Sequence, residues 1–280
     1  MGVRRPCVAG AFYPADPERL KNAIRECFTH RLGPGALPEQ RRPVRSIVSV
    51  VCPHAGYMYS GPTAAHSYHH LASEASPESI VILGPNHTGQ GGRVSIWGTG
   101  AWETPLGMAP VDEELARAIF EASDFIDMDE TAHIREHSIE VQLPFLQYIY
   151  GEAPFVPICM RFQDLETSRK VGRAIAEASE GKDVLILAST DLTHMESKSS
   201  AAAKDRGVID RIASMDEAAL QNWVRSQRVT MCGYGPVSAA LVASKLMGAS
   251  RAEILSYSTS GDTTGDASAV VGYAAAKITR

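Results

Sequence analysis

Three short apolar runs that each stop at a histidine set narrow limits on how this chain can fold. Residues 45–54 read RSIVSVVCPH, residues 79–87 read SIVILGPNH, and residues 183–194 read DVLILASTDLTH. Apolar runs of this length, rich in β-branched side chains and bounded by Gly, Pro or Ser, have the pattern of strands buried on both faces. Such strands belong to parallel sheets covered by helices on each side. Ligands of those sheets gather beyond the carboxyl ends of the strands. The three runs therefore predict one rim that carries His54, His87, Asp191 and His194.

The segments between the runs supply helices. Asp16 caps a predicted helix whose apolar face is Leu20, Ala23, Ile24, Cys27 and Phe28, with Cys27 a core thiol. A helix over 62–71 carries His66, His69 and His70, which read as packing or surface histidines because none sits at a strand end. Residues 94–97 read as an edge strand, and 112–122 as an amphipathic helix capped by Asp112. The stretch TAHIREHSIEVQLPFLQYIYG reads as helical, kinked or restarted at Pro144. A strand over 155–159 and helices over 167–178, 202–213, 216–226 and 236–247 follow, then strands over 253–258 and 269–275 around the polar turn SGDTTGD. Without an internal repeat or linker, residues 1–280 are expected to form one α/β domain, a central mostly parallel sheet flanked by helices.

Charge and composition exclude several function classes. The net charge of -5 and pI near 6.0 offer no basic field for nucleic acid or an anionic membrane, and Arg41, Arg42 and Arg45 read as a solvated loop cluster. No apolar run approaches the ~20 residues that cross a bilayer. Pro6, Gly10 and Pro14 break up the N-terminal stretch, which does not read as a signal peptide. Five cysteines, odd in number and without a C-x-x-C, argue against a disulfide framework and for a reducing cytoplasm.

Imidazole and thiolate together suit iron, copper or zinc. His54, His87 and Cys232 would give three protein ligands and leave positions open for water or substrate. Cys232 precedes the 236–247 helix, where the amino-terminal dipole favours a thiolate. Asp191 and His194 would then act as ligand, orienting group or general acid–base. A competing motif is His133-Ile134-Arg135-Glu136-His137, the H-x-x-E-H pattern of inverted zinc peptidases, which on a helix places both histidines on one face. His137 can alternatively lean toward the rim. A third reading is a non-catalytic module that holds a peptide or partner on the same rim through Tyr57, Tyr59 and Tyr234. No G-x-S-x-G elbow, phosphate loop or dinucleotide fingerprint is present.

PHAGYMYSG, LGPNH, EHSIEVQLPFL, STDLTH and MCGYGP, in that order, resemble the Memo family, whose prokaryotic members are also called AmmeMemoRadiSam system protein B. The likeness runs from AGAFYP near residue 10 to the terminal VVGYAA. It implies a fold similar to the class III extradiol dioxygenases, non-haem iron enzymes that open catechol rings. In that comparison His54 and His87 fall on the two histidine ligands and Cys232 falls where the dioxygenases carry glutamate. His194 falls on their acid–base histidine, accompanied by Asp191. Thiolate in place of carboxylate prefers softer metals and is itself oxidisable, so ring opening does not carry over with the fold. The resemblance implies one metal ion per chain, iron foremost with copper or zinc as alternatives. It also implies redox-linked roles, with the eukaryotic member linked to receptor signalling and motility. The system name implies association with AMMECR1-type and radical SAM proteins.

Overall fold

In the computed structural model, which describes residues 2–39 and 43–280, the three histidine-terminated runs form neighbouring parallel strands. The chain opens with β1 (Val3–Arg4), α1 (Pro17–Thr29), β2 (Ile47–Cys52), α2 (Tyr57–Ala72) and β3 (Ser79–Pro85). Short strands β4 (Val94–Ile96), β5 (Ala101–Thr104) and β6 (Gly107–Pro110) lead to α3 (Glu113–Glu121) and β7 (Asp127–Met128). A single 3-10 turn, Glu140–Gln142, runs into α4 (Leu143–Tyr150), followed by β8 (Phe155–Met160), α5 (Leu165–Ala178) and β9 (Val184–Ser189). The last part holds β10 (His194–Glu196), α6 (Lys198–Ala213), α7 (Glu217–Ser226), α8 (Tyr234–Leu246), β11 (Arg251–Thr259), α9 (Ser260–Thr264) and β12 (Val270–Thr279).

The main sheet runs β10-β12-β2-β9-β3-β8-β4-β7, with β11 paired to β12. Its centre, β2-β9-β3-β8, is parallel, and antiparallel pairs flank it. The architecture is α/β, a sheet covered by helices, as the apolar runs predict; the sheet is mixed rather than mostly parallel, because β12 and β4 run antiparallel to the parallel centre. Their continuous apolarity has a direct cause. Val81 and Leu83 of β3 face the core under α5 and α8, while Ile80 and Ile82 face the core under α1, α2 and α4. In β9, Ile186 and Ala188 alternate in the same way with Leu185 and Leu187. Both faces of each strand are dry, so no polar alternation survives.

Aspartates start the helices as expected: Asp16 accepts from the Arg19 amide and Asp112 from that of Leu115. Cys27 is buried on α1, and His66 and His69 pack against Leu32 and Phe28. Several expectations need correction. Helix α2 begins at Tyr57 rather than Pro62, which sits inside it and removes one amide from the ladder. Strand β4 is buried at all three residues and has β7 beyond it, so it is not the bare edge of the sheet. Arg45 is buried rather than solvated; its guanidinium donates to the Ile47 carbonyl and pairs with Asp183. Arg41 and Arg42 lie outside the described residues.

The largest departure is residues 131–139, expected to be helical, which form turns. Two buried carboxylates explain it. Glu136 turns inward to accept from the amides of His87 and Ser138, and Glu140 accepts from the Cys7 and Val8 amides, the Tyr13 hydroxyl and Arg4. The backbone wraps around these groups, and regular helix resumes only where Pro144 suits a first turn.

Candidate metal centre

The rim repeats one construction three times. His54 lies two residues past the end of β2, His87 two past β3, and Asp191 two past β9. Because β2, β9 and β3 are adjacent and parallel, the three side chains emerge together. Cys232 arrives from the turn before α8, next to its cap Gly233. Among the described residues, ring nitrogens of His54 and His87 and the Cys232 sulfur all lie within 4.8 Å of one another. The sulfur is 3.2 Å from His54 Nε2. His54 forms a buried floor, Cys232 is half-buried and His87 is exposed, so the cluster is closed on one side and open on the other.

Each ring is held from behind. His54 Nδ1 lies 2.8 Å from Ser189 Oγ, which Gln142 Nε2 also reaches at 2.8 Å. The Glu136 carboxylate accepts from His87 Nδ1 at 2.9 Å and from the His87 amide at 2.5 Å. Although burial alone would raise its pKa, the His87 hydrogen bond and the positive charges of His87 and His137 pull Glu136 down to about 2. In return Glu136 overcomes the burial of His87 and raises that ring's pKa. His54 moves the other way, far below its ordinary value, through burial and then the charges of His137, His87 and His194.

Asp191 packs against both His54 and Cys232. Its Oδ1 accepts from the His54 amide at 2.8 Å, and its own amide donates to the Cys232 sulfur at 3.1 Å. Burial raises its pKa to about 6 against the lowering effect of the His54 amide. Burial, then the Asp191 charge, pushes the Cys232 thiol up. The thiolate expected from the α8 dipole is thus not favoured by the surrounding protein, and a cation would have to supply the stabilisation. His194 projects Nδ1 onto the carbonyls of Leu192 and Thr230 at 2.8 and 2.9 Å. Buried Asp205 pins the neighbouring Thr193 through its amide and hydroxyl.

The H-x-x-E-H motif is split. Glu136 and His137 join the rim, where His137 stacks on His87 with centroids 4.6 Å apart. His133 is fully buried elsewhere, its Nε2 on the Ser95 carbonyl and its ring edge-on to Trp97 and Trp102. Without a helix the two histidines no longer share a face, which removes the geometric basis of a zinc-hydrolase reading. Glu136, His137 and His87 also bring potential ligand atoms within 4.8 Å of one another. The Glu136 oxygens, however, are already occupied by His87 and Ser138.

Tyr57 also departs from expectation. It is buried, with its hydroxyl donating to the Val141 carbonyl, so it offers no partner contact; Tyr59 and Tyr234 remain half-exposed. Sequence reading missed Ser189, Gln142 and Gln163. Gln163 clamps the Cys232 turn, donating to the Cys232 carbonyl and accepting from the Gly235 amide, both at 2.9 Å. Only Ser189 carried a signal, as the last residue of a buried strand two positions before Asp191.

Comparison with known proteins places this geometry in a family. A model of the Memo-like protein family matches residues 4–277. A MEMO1 family protein of Methanopyrus kandleri is 54% identical over 275 residues, covering 97% of each chain. Another, from Methanothermobacter thermautotrophicus, is 52% identical over 274 residues, covering 97% of this chain and 99% of that one. Among solved structures, an uncharacterized protein from Escherichia coli K12 shares the fold, with a TM-score of 0.56 and 13% identity over 83% of this chain and 99% of that one. A family match across nearly the whole length, with relatives identical at half their positions, means that this chain belongs to the Memo family.

Proposed function

We propose that this protein holds one redox-active transition metal on His54, His87 and Cys232, and that Asp191 and His194 manage protons on a small molecule bound beside it. The observation that carries the reading is the convergence of two imidazoles and one sulfur within 4.8 Å, open on the His87 side. The donor set fits an ion: metal–ligand bonds of ~2.0–2.3 Å place ligand atoms ~3.5 Å apart, near the 3.2 Å between sulfur and His54 Nε2. Iron is our first assignment, with copper or zinc as alternatives, since all three accept imidazole and thiolate.

A bound redox metal would supply open coordination positions and a route for electrons. The chain's own groups do the rest. Asp191, with a pKa of about 6, exchanges a proton near neutrality. His194, its Nδ1 engaged by carbonyls, keeps Nε2 available for a second proton transfer. The likeness to extradiol dioxygenases supports oxidoreductase chemistry without naming a substrate. AMMECR1-type and radical SAM partners remain part of this proposal through the family's system name. The described helices include none long and apolar enough to cross a membrane, and the free cysteines suit the reducing cytoplasm we assign.

Elemental analysis of protein purified anaerobically without chelator, wild type beside Cys232→Ser, tests the proposal. About one iron or copper per chain, lost in the variant, is the expected result. Metal absent from both, or indifferent to Cys232, would overturn it.

A further inference from the structure

Behind His54 runs a wholly buried line of polar side chains: Tyr68, Gln142 and Ser189. The Tyr68 hydroxyl meets Gln142 Oε1. Gln142 Nε2 lies 3.0 Å from the Pro53 carbonyl and 2.8 Å from Ser189 Oγ. Ser189 Oγ in turn lies 2.7 Å from the Ser138 carbonyl and 2.8 Å from His54 Nδ1.

Donor and acceptor counting leaves one arrangement. The Pro53 carbonyl only accepts, so the nitrogen end of the Gln142 amide must face it and the oxygen end must face Tyr68. A flipped amide would set two oxygens against each other in the dry interior. The Ser138 carbonyl also only accepts, and its neighbour here is Ser189 Oγ. The single hydroxyl hydrogen of Ser189 is therefore committed to Ser138. What remains on Ser189 Oγ is lone pairs, and these can only accept, one from Gln142 and one from His54.

We infer that Ser189, its hydroxyl hydrogen committed to the Ser138 carbonyl and its oxygen steadied by the Tyr68–Gln142 pair, is a tautomer lock, which fixes the ring hydrogen of neutral His54 on Nδ1 and presents a bare Nε2 toward Cys232 before any ion arrives. Ser189 and Gln142 are positioning residues: neither lies in the cluster, and both act through His54. The inference draws on the metal reading only for its consequence, because the tautomer belongs to the ion-free protein. His87 and His194 reach the same state by other means, through the Glu136 carboxylate and through the Leu192 and Thr230 carbonyls. The rim thus presents Nε2 from three rings, and the relay is the one of these devices built from neutral groups on a serine.

The test is a long-range proton–nitrogen NMR spectrum of the full-length, chelator-stripped protein labelled with nitrogen-15, in which a bare ring nitrogen resonates far from a protonated one. His54, assigned by its loss in His54→Gln, should show a protonated Nδ1 and a bare Nε2. In Ser189→Ala the form protonated on Nε2 should appear, and affinity for cobalt(II), followed by its thiolate absorbance, should fall ~10–100-fold. Ser189→Thr, which keeps the hydroxyl, should restore both. A wild-type His54 protonated on Nε2 would overturn the lock, as would a Ser189→Ala protein with unchanged tautomer and cobalt affinity. If Ser189→Ala does not fold, the wild-type spectrum still decides. If cobalt does not bind the wild type, the metal reading fails while the tautomer remains measurable.

Discussion

His54 and His87 stand side by side on the rim, their rings 5.3 Å apart and nearly perpendicular, yet opposite chemistry orients them. His54 is on the buried floor and meets a serine that is tied to an amide and a tyrosine, none of them charged. His87 is on the open side and meets the ionised carboxylate of Glu136. The difference follows from what each position can tolerate. The floor already holds Asp191, whose pKa burial has raised to about 6, and a second carboxylate there would add like-charge repulsion in a dry setting. On the open side, a carboxylate fed by two amides and an imidazole stays ionised and lends its charge to the ring. Neutral relays fix direction, whereas charged ones also raise ligand basicity.

The largest effect should therefore come from Glu136. Glu136→Ala removes the charge, frees His87 Nδ1 and leaves the amides of His87 and Ser138 without their acceptor. We expect cobalt affinity to fall ~100-fold, at the upper end for an outer partner and at or beyond the effect of Ser189→Ala. A titration in which the serine variant loses far more than the glutamate variant would reverse the comparison.

How much of this was legible in the sequence differs between the two histidines and their supports. Both rings could be placed because each follows a buried run whose end is marked by Pro, and the adjacency of those runs fixes where the rings emerge. Their supports could not be placed. Glu136 sits in a segment with the spacing of a zinc-binding helix, and only its tertiary partners, 49 residues away at His87, show that the segment is a turn. Arg4 meets Glu140 across 136 residues, and no local pattern encodes that pairing. For Cys232, the helix dipole was visible from Gly233 and Pro236, but the opposing burial was not.

The neutral relay should reveal itself more through stability than through metal. Gln142→Leu keeps the approximate volume, but takes the amide donor from the Pro53 carbonyl and leaves the Tyr68 hydroxyl only the Gln142 backbone carbonyl, 3.5 Å away, as acceptor on that residue, all in the interior. Unsatisfied buried groups cost ~1–3 kcal/mol each, partly relieved by relaxation, so a loss of roughly 2 kcal/mol is expected from urea unfolding. Ser189 keeps its hydrogen on Ser138 and its lone pair on His54 in this variant, so cobalt affinity should move less than in Ser189→Ala. An affinity loss matching that of Ser189→Ala would show that Gln142, and not the Ser138 carbonyl, sets the lock.

His133 extends the comparison to a histidine with no charge behind it and gives the smallest effect. Its ring is fully buried, with Nε2 on the Ser95 carbonyl and Nδ1 without a hydrogen-bond partner among the described residues. Burial, helped by the nearby Arg4 charge and only partly opposed by the Ser95 carbonyl, lowers its pKa from the ordinary 6.5 to about 4. Above pH 6.5 both folded and unfolded chains carry a neutral ring there, so the group adds nothing to any pH dependence. As the pH falls below 6.5 the unfolded chain takes up a proton that the folded chain refuses until about pH 4, and stability declines across that window. At pH 5.5 the loss assigned to His133 should be roughly 1 kcal/mol. It is read as the difference in urea-unfolding pH slope between wild type and His133→Asn, because His54 and His137 are also lowered and contribute in both proteins. His87, with its raised pKa, should contribute the opposite sign, stabilising the fold while protonated and losing that contribution as the pH rises. Equal slopes in wild type and His133→Asn would mean that the buried ring accepts its proton freely, and that burial does not hold a histidine neutral in this fold.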